Sequence, residues 1–405
     1  MKQNIVILSV MLGGIFCGCS REVECHIQGS VDDPATTKMY LIEAGEDIRV
    51  MDNVLTIPVV DGKFQYVLKT DLIKYCELIP ANQYERGSFF SAYFIAENQD
   101  VTISYAGDKV TVSGNGKEQK MVQQYNEEVG AKFLAIYDSL EAQRDSIENI
   151  IEAKMEKMTE DERHSYISEF NSENSTDPVI VRYKDIDEEY GETMFDEKAA
   201  RVNWLDSHPC FYGLAEIKSK LAFANPSEDP TVQSLVLSYK NTYSKRYAGH
   251  PYHELIADLI KSKELAVGNK YIDYQVCDYE GNSVNISSLY EGKIIIIDLW
   301  ASWCGPCRKH SKELIPIYGR FKDKGLQVIA IARESKKENM IAAIEKDGYP
   351  WASLIDLNGR DRIWQKNGAS DRGGIIYLIS ADGTILAVNP TAEETEQILN
   401  EQLGE

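Results

Sequence analysis

Basic charge is what this chain most lacks. Its 405 residues carry 43 Lys and Arg against 64 Asp and Glu, a formal net charge of −21. That balance argues against nucleic acid as a partner, because a phosphate backbone is held by a basic face. Long apolar runs are missing too. Beyond the N-terminus no stretch approaches the roughly 20 residues that a membrane-crossing helix needs. Cysteine is sparse: eight in this length are too few for a fold built on disulfides. The N-terminal module has no His, Asp or Glu cluster at metal-ligand spacing, and neither metal nor cofactor is expected. What is abundant is apolar material, at 43% of residues, which is enough for packed cores and excludes wholesale disorder. At roughly 150 residues per domain the length allows two or three domains.

The first residues read as an address. Lys2 precedes an apolar run from Ile5 to Phe16 that is too short to span a bilayer but suits the core of an export signal. The run ends in Phe16-Cys17-Gly18-Cys19-Ser20, which resembles a lipoprotein signal, with Gly18 as the small residue before the cysteine that receives lipid. Phe16 and Cys17 depart from the aliphatic and small residues usual at those places. The resemblance implies a signal over 1–19, lipidation at Cys19, and a mature chain tethered to a membrane in the cell envelope, facing the periplasm. A plain secretory signal or an uncleaved anchor is the alternative, and it too puts the domains outside the cytoplasm. Loss of Lys2 takes the charge from −21 to about −22.

Three regions follow. Residues 20–117 alternate apolar and polar side chains in short runs such as Met39–Ile42, Lys63–Lys69, Ala92–Ile95, Val101–Tyr105 and Val110–Ser113, separated by turn signals such as Asp61-Gly62. They predict an all-β, sandwich-like domain. Residues 118–264 change period. Met121, Tyr125, Val129, Phe133, Ile136 and Leu140 form one helical stripe, and Thr159 with Glu162 has the form of a capping box that opens a new helix. Further helices are expected at Phe211–Ala222, Thr231–Tyr243 and Tyr252–Glu264. Residues 141–200 hold 18 acids and 7 bases, about half of the net charge, which reads as a solvated helical face. Residues 265–405 alternate strand and helix. The aliphatic Ile294–Ile297 has the pattern of a strand buried on both faces, and Asp382-Gly383 is a hairpin turn. This third region is a compact α/β domain.

The chemistry sits at one strand-to-helix junction, Asp298-Leu-Trp-Ala-Ser-Trp303-Cys304-Gly305-Pro306-Cys307. At a helix N-terminus the free N–H groups and the dipole favour an anion, so the Cys304 thiol pKa should fall. Two intervening residues bring Cys307 within bonding reach of Cys304, placed to attack a mixed disulfide formed there. Pro306 suits a first turn because its missing N–H has no partner there. Gly305 leaves room for another chain to approach. A structural disulfide or half of a zinc site is the competing reading, but no second Cys-x-x-Cys completes the ligands.

This string resembles the thioredoxin superfamily, most closely its exported TlpA/ResA-like branch. The resemblance covers about 266–405 and includes Trp303 and the Gly305-Pro306 pair. It implies that Asp298 is the buried carboxylate that moves a proton to and from Cys307. Burial under a thiol should raise its pKa, as a base for that step requires. An ordinary strand-end hydrogen bond is the plainer reading of Asp298. One departure stands out. Where the family has a cis-proline, this chain has Gly373-Gly374. A cis bond costs about 2.5–4 kcal/mol at a non-proline residue, so a trans bond is expected. The backbone of Gly373 remains able to pair with an extended substrate, while loss of the ring is expected to open space beside the thiols, even to a metal. The upstream β and acidic helical regions resemble a domain of unknown function that precedes TlpA-like thioredoxins in exported lipoproteins.

The leading expectation is a membrane-tethered thiol–disulfide oxidoreductase that reduces or isomerises disulfides of envelope proteins and is served by a membrane or periplasmic thiol electron donor. The alternative is a binding or assembly lipoprotein whose redox domain is accessory or gates partner binding. A peroxidase fits less well, because no peroxidatic motif is present. Of the other cysteines, Cys25, Cys76 and Cys210 read as buried thiols, with a Cys25–Cys76 disulfide as an option in an oxidising compartment. Cys277 falls in a strand that opens the redox domain, and His310 reads as a surface residue.

Overall fold

The computed structural model describes residues 22–223, 231–289, 292–369 and 373–404. The signal segment and Cys19 lie outside the described residues. Among those residues no helix is long and apolar enough to cross a membrane.

The N-terminal region is a β-sandwich. Its strands are β1 (Val23–Val31), β2 (Lys38–Glu43), β3 (Leu55–Pro58), β4 (Lys63–Thr70), β5 (Lys74–Pro80), β6 (Ala92–Ala96), β7 (Gln99–Ala106) and β8 (Lys109–Gly114), with a short helix α1 (Ala81–Arg86) after β5. They form two four-stranded sheets, ordered β4-β1-β7-β8 and β3-β2-β5-β6. Alternate side chains of both sheets, among them Ile27, Val101 and Ile103 from one and Met39, Leu78 and Phe94 from the other, fill the core between them. Gly29 of β1 is obligatory, because a Cβ there would lie 2.1 Å from the Ile103 carbonyl oxygen.

The helical region follows: α2 (Lys117–Tyr125), α3 (Ala131–Met155), α4 (Glu160–Phe170), α5 (Pro178–Ser207), α6 (Phe211–Phe223), α7 (Thr231–Ser238) and α8 (Tyr252–Ser262). The capping box at Thr159 opens α4, with Thr159 Oγ1 accepting the Glu162 amide and Glu162 accepting in return. The 30-residue α5 was not foreseen from apolar spacing, since its middle is acidic and exposed. Its start did carry a signal: Asp177 caps the helix and Pro178 occupies the first turn. Helices α3 and α5 run antiparallel and are tied by polar pairs, Arg144 with Asp187, Arg182 with Gln143 and Tyr137 with Glu197, more than by apolar burial. The acids of 141–200 are therefore mostly in water. The remaining helices pack on the outer face of the β2–β5–β6 sheet, where Ala44, Tyr75 and Ile95 join Phe211, Tyr212 and Tyr252 in one cluster.

The C-terminal domain holds a seven-stranded sheet, β10 (Ser283–Asn285), β9 (Gln275–Cys277), β13 (Ser353–Leu357), β12 (Leu326–Glu334), β11 (Ile294–Trp300), β14 (Ile376–Ile379) and β15 (Ile385–Val388) in that spatial order. Central β11 pairs parallel with β12 and antiparallel with β14. Helices α9 (Gly305–Phe321), α10 (Lys337–Asp347), α11 (Ile363–Lys366) and α12 (Ala392–Leu403) cover it. Every residue of β11 is buried. Its odd members Ile295, Ile297 and Leu299 enter one core, and its even members Ile294, Ile296 and Trp300 enter the other, beneath Leu314, Ile317 and Phe321 of α9. The four-isoleucine run is thus a central strand between two apolar layers.

The three regions touch. Arg362, just before α11, binds Asp258 of α8 at 2.8 Å and Glu254 at 3.2 Å. Asp52 of the sandwich accepts a hydrogen bond from Asn358 at 2.7 Å.

A Cys25–Cys76 disulfide is not formed; both thiols are free and lie in the sandwich core. The strands that carry them, β1 and β5, belong to facing sheets. Burial also pushes the Cys25 thiol up to about 12, so it supplies no thiolate for exchange. Alkylation of the unfolded chain without reductant, read by peptide mass, should label Cys25 and Cys76 and leave Cys304 and Cys307 unlabelled.

Candidate active site

Strand β11 ends at Trp300, and α9 begins five residues later at Gly305. Cys304 is the N-cap of α9, in extended conformation, and its Sγ accepts the Cys307 amide N–H at 3.3 Å. A sulfur thus takes the place that a Ser or Asp oxygen fills at an ordinary N-cap, and the helix terminus solvates it. Gly305 and Pro306 form the exposed first turn. Cys304 and Cys307 are joined as a disulfide with their Cα atoms 5.3 Å apart, so the pair is seen in its oxidised form. Cys304 is only 5% exposed, tucked into the apolar cluster on one face of the sheet, while Cys307 is half-buried between both clusters.

Asp298 is 1% exposed on β11, directly beside Ala330 of β12 and Ile376 of β14. Its even position places it on the α9 side, with Ile296 and Trp300. Burial pushes its carboxyl up to about 7, and the hydrogen bond from Ser311 opposes that rise. The Ser311 hydroxyl donates to Asp298 Oδ2 at 2.6 Å and lies 3.0 Å from the Cys307 carbonyl oxygen. Ser311 therefore ties the acid to the turn that carries the second cysteine. It lies four residues after Cys307, on the inward face of α9, which is the only sequence signal that marked it.

Gly374 has a trans bond, as no cis peptide occurs among the described residues. It does not open the space beside the thiols as its sequence suggested. Its N–H, which proline lacks, donates to Cys307 Sγ at 3.3 Å. A Cβ there would sit 1.6 Å from the Leu299 carbonyl oxygen. Gly373, half-buried beside it, meets no atom within 4 Å of an added Cβ. His310 is partly buried, with Nε2 3.0 Å from the Pro390 carbonyl oxygen.

Other residues reach the site from far away in sequence. The Glu334 carboxylate, fully buried at the end of β12, accepts the Ser302 hydroxyl at 2.9 Å and its amide, fixing the turn before Trp303. Burial raises the pKa of Glu334. Trp303 lies 5.8 Å from Trp364, ring to ring, and the guanidinium of Arg49 from the sandwich stands 3.8 Å from the Trp303 centroid. Asp47 holds Arg49 in a two-bond fork at 2.7 and 2.8 Å. Nothing in the sequence linked residue 49 to residue 303. Among the described residues no group of three or more His, Cys, Asp or Glu could hold a metal ion.

This geometry is that of a thioredoxin-type redox centre. Residues 267–387 match the AhpC/TSA family. The chain is 28% identical over 148 residues to the thiol-disulfide oxidoreductase ResA of Bacillus thuringiensis subsp. konkukian, covering 35% of this chain and 80% of that one. It is 27% identical over 139 residues to ResA of Halalkalibacterium halodurans, covering 33% and 73%. A probable phospholipid hydroperoxide glutathione peroxidase of Nicotiana sylvestris is 33% identical over 97 residues, covering 22% of this chain and 57% of that one. Among solved structures, the thioredoxin domain of a Bacteroides vulgatus thiol-disulfide oxidoreductase matches with 24% identity and a TM-score of 0.32, covering 35% of this chain and 99% of that one. A putative thiol:disulfide interchange protein DsbE of Chlorobium tepidum matches with 26% identity and a TM-score of 0.31, covering 35% and 99%. The C-terminal domain has a thioredoxin fold and is TlpA/ResA-like, and the protein is a thiol–disulfide oxidoreductase.

Two outcomes follow from this geometry. The unfolded chain releases the Asp298 proton near 3.8 and the folded chain near 7, so stability falls as pH rises across that window, by on the order of 4 kcal/mol. Asp298→Asn removes this fall. In urea denaturation its advantage over the parent should grow from about pH 4 to pH 7 and stay level above. Gly374→Ala should cost more than about 2 kcal/mol, measured the same way, because backbone must move to admit the methyl group.

Proposed function

We propose that the protein is a lipid-anchored, periplasm-facing oxidoreductase of the cell envelope that reduces or isomerises disulfides of envelope proteins. The observation that carries the redox chemistry is the Cys304–Cys307 disulfide at the start of a helix whose Ser311 contacts a buried carboxylate. In the working direction the Cys304 thiolate attacks one sulfur of a substrate disulfide. That S–S bond breaks, and the other substrate sulfur leaves as a thiolate that takes a proton from water. Asp298, about half ionised near neutral pH, accepts the proton of the Cys307 thiol. The Cys307 sulfur then attacks Cys304 Sγ and releases the second substrate sulfur. The substrate gains two electrons, and the enzyme ends as the disulfide, which a membrane or periplasmic thiol donor returns to the dithiol.

Trp303, Gly305 and Pro306 support the turn that presents Cys304, and the Gly373-Gly374 backbone serves the substrate segment as an added strand edge. The Gly-Pro pair resembles that of reducing thioredoxins, which favours reduction or isomerisation over net oxidation. Lipid on Cys19 is the proposed tether, and stable anchoring needs more than one acyl chain.

Trapping tests this reading. Expressed in cells, Cys307→Ser should accumulate a mixed disulfide at Cys304, visible as reductant-sensitive bands, whose partner peptides identify the substrates. Cys304→Ser should show no such bands, and its reduction of a protein disulfide should drop to the uncatalysed rate. Equal rates for Cys304→Ser and the parent would overturn the assignment.

A further inference from the structure

The face of the β3-β2-β5-β6 sheet that turns away from the sandwich core is neither fully covered nor polar. It floors a cleft of about 940 Å³ whose opposite wall comes from α5 and α6. Tyr40 of β2 and Tyr93 of β6 line it, with Tyr84 and Phe89 at the rim. Tyr84 lies 6.0 Å from Tyr40 and 5.4 Å from Phe89, ring to ring. Tyr93 and Phe89 remain substantially exposed.

At the centre of this floor stands Glu77. On β5 it pairs with Ile42 of β2 on one side and with Tyr93 of β6 on the other. Its residue exposure is 9%, a costly place for a carboxylate. Ser91 Oγ at 2.6 Å and the Tyr93 hydroxyl at 3.0 Å both donate to Oε1. Oε2 accepts no hydrogen bond among the described residues, and no base there pairs with Glu77. Two of the three bases that line the cleft are held in ion pairs elsewhere, and the third lies near other carboxylates. Arg49 is forked to Asp47, Arg201 pairs with Glu216 and Glu197, and Lys220 faces Glu216 and Glu197. A carboxylate set among aromatic faces is the chemistry that takes up a cationic side chain.

The cleft also adjoins the redox turn. Ile48 and Arg49 line it, and Arg49 is the residue that stands over Trp303, next to Cys304. Arg49 thus joins the lining of the cleft to the residue before Cys304.

We infer that this cleft binds the polypeptide segment flanking the substrate's reactive cysteine, and that Glu77 with its aromatic neighbours selects a Lys or Arg side chain in that segment. This rests on the oxidoreductase reading and adds a substrate class to it.

The full chain should be assayed with two synthetic peptides, each closed by one internal disulfide and differing only in a Lys or a Glu a few residues from the first cysteine. Hydroxyethyl disulfide, too small to fill the cleft, serves as the reference. The Lys peptide should show a KM about tenfold lower than the Glu peptide. Glu77→Gln keeps an oxygen for Ser91 and Tyr93, so the sheet should survive. It should raise KM for the Lys peptide about tenfold and abolish the preference, with kcat and the hydroxyethyl disulfide rate unchanged. Phe89→Ala, at the exposed rim, should raise KM about threefold.

Equal KM values for the two peptides, or no response to Glu77→Gln, overturn the inference. Titration of the S-methylated peptides by calorimetry reads the cleft without turnover. If the chain reduces neither peptide nor hydroxyethyl disulfide, the oxidoreductase reading fails, while a Glu77-dependent preference for the methylated Lys peptide would still uphold the cleft. Loss of that preference as well would sink both.

Discussion

The redox centre depends on a strand that is buried on both faces. Because β11 has helices on one side and a second apolar layer on the other, every side chain it carries is withdrawn from water. Hydrophobic burial of that kind is worth about 25 cal/mol per Å², and it allows one polar residue to be held where none would go by itself. Asp298 is that residue. Its burial lifts the carboxyl into the range where it can accept and return a proton near neutrality. The same packing seats α9 over the strand and aims the helix N-terminus at Cys304. Stability is given up at Asp298 in exchange for a usable proton site.

The two cysteines do not share one environment. Cys304 accepts an amide from the first turn of its own helix and sits against the apolar cluster of one sheet face. Cys307 lies between the two clusters and accepts the amide of Gly374 from a loop 67 residues on. Proline at that position has no N–H to offer. The glycine therefore gives the second sulfur a backbone donor and closes the backbone against Leu299 too tightly for any side chain. A residue that looks like a loss against the family pattern is here a specific contact.

The upstream regions are joined to this centre. Asp47 and Arg49 bring the sandwich to Trp303, and Arg362 ties the redox domain to α8. The strongly acidic α3–α5 layer stands apart from these contacts, its charge spread over exposed helix faces. The catalytic domain contributes only about −4 of the total, from 20 acids and 16 bases in residues 265–405. Net charge thus describes the solvated helices and says little of the site.

Much was legible in the chain alone. Asp298, six residues upstream of Cys304, was marked by the family resemblance. The Cys-Gly-Pro-Cys turn and the aliphatic strand before it are local patterns, and local physics dictates them: a continuous apolar run, a helix N-terminus, a two-residue spacer. The capping box at Thr159 was legible for the same reason. The long α5 was missed because its acidic, exposed middle has little apolar period, although Asp177-Pro178 marked its start. Tertiary structure alone decided the rest. Cys25 and Cys76 remain free thiols in the shared core of the sandwich. Glu334 and Arg49 reach the redox turn, and Glu77 faces a cleft, because sheets and interfaces join residues that no sequence spacing connects. Spacing along a chain encodes which neighbours a residue meets within one element, and only packing chooses the neighbours it meets across them.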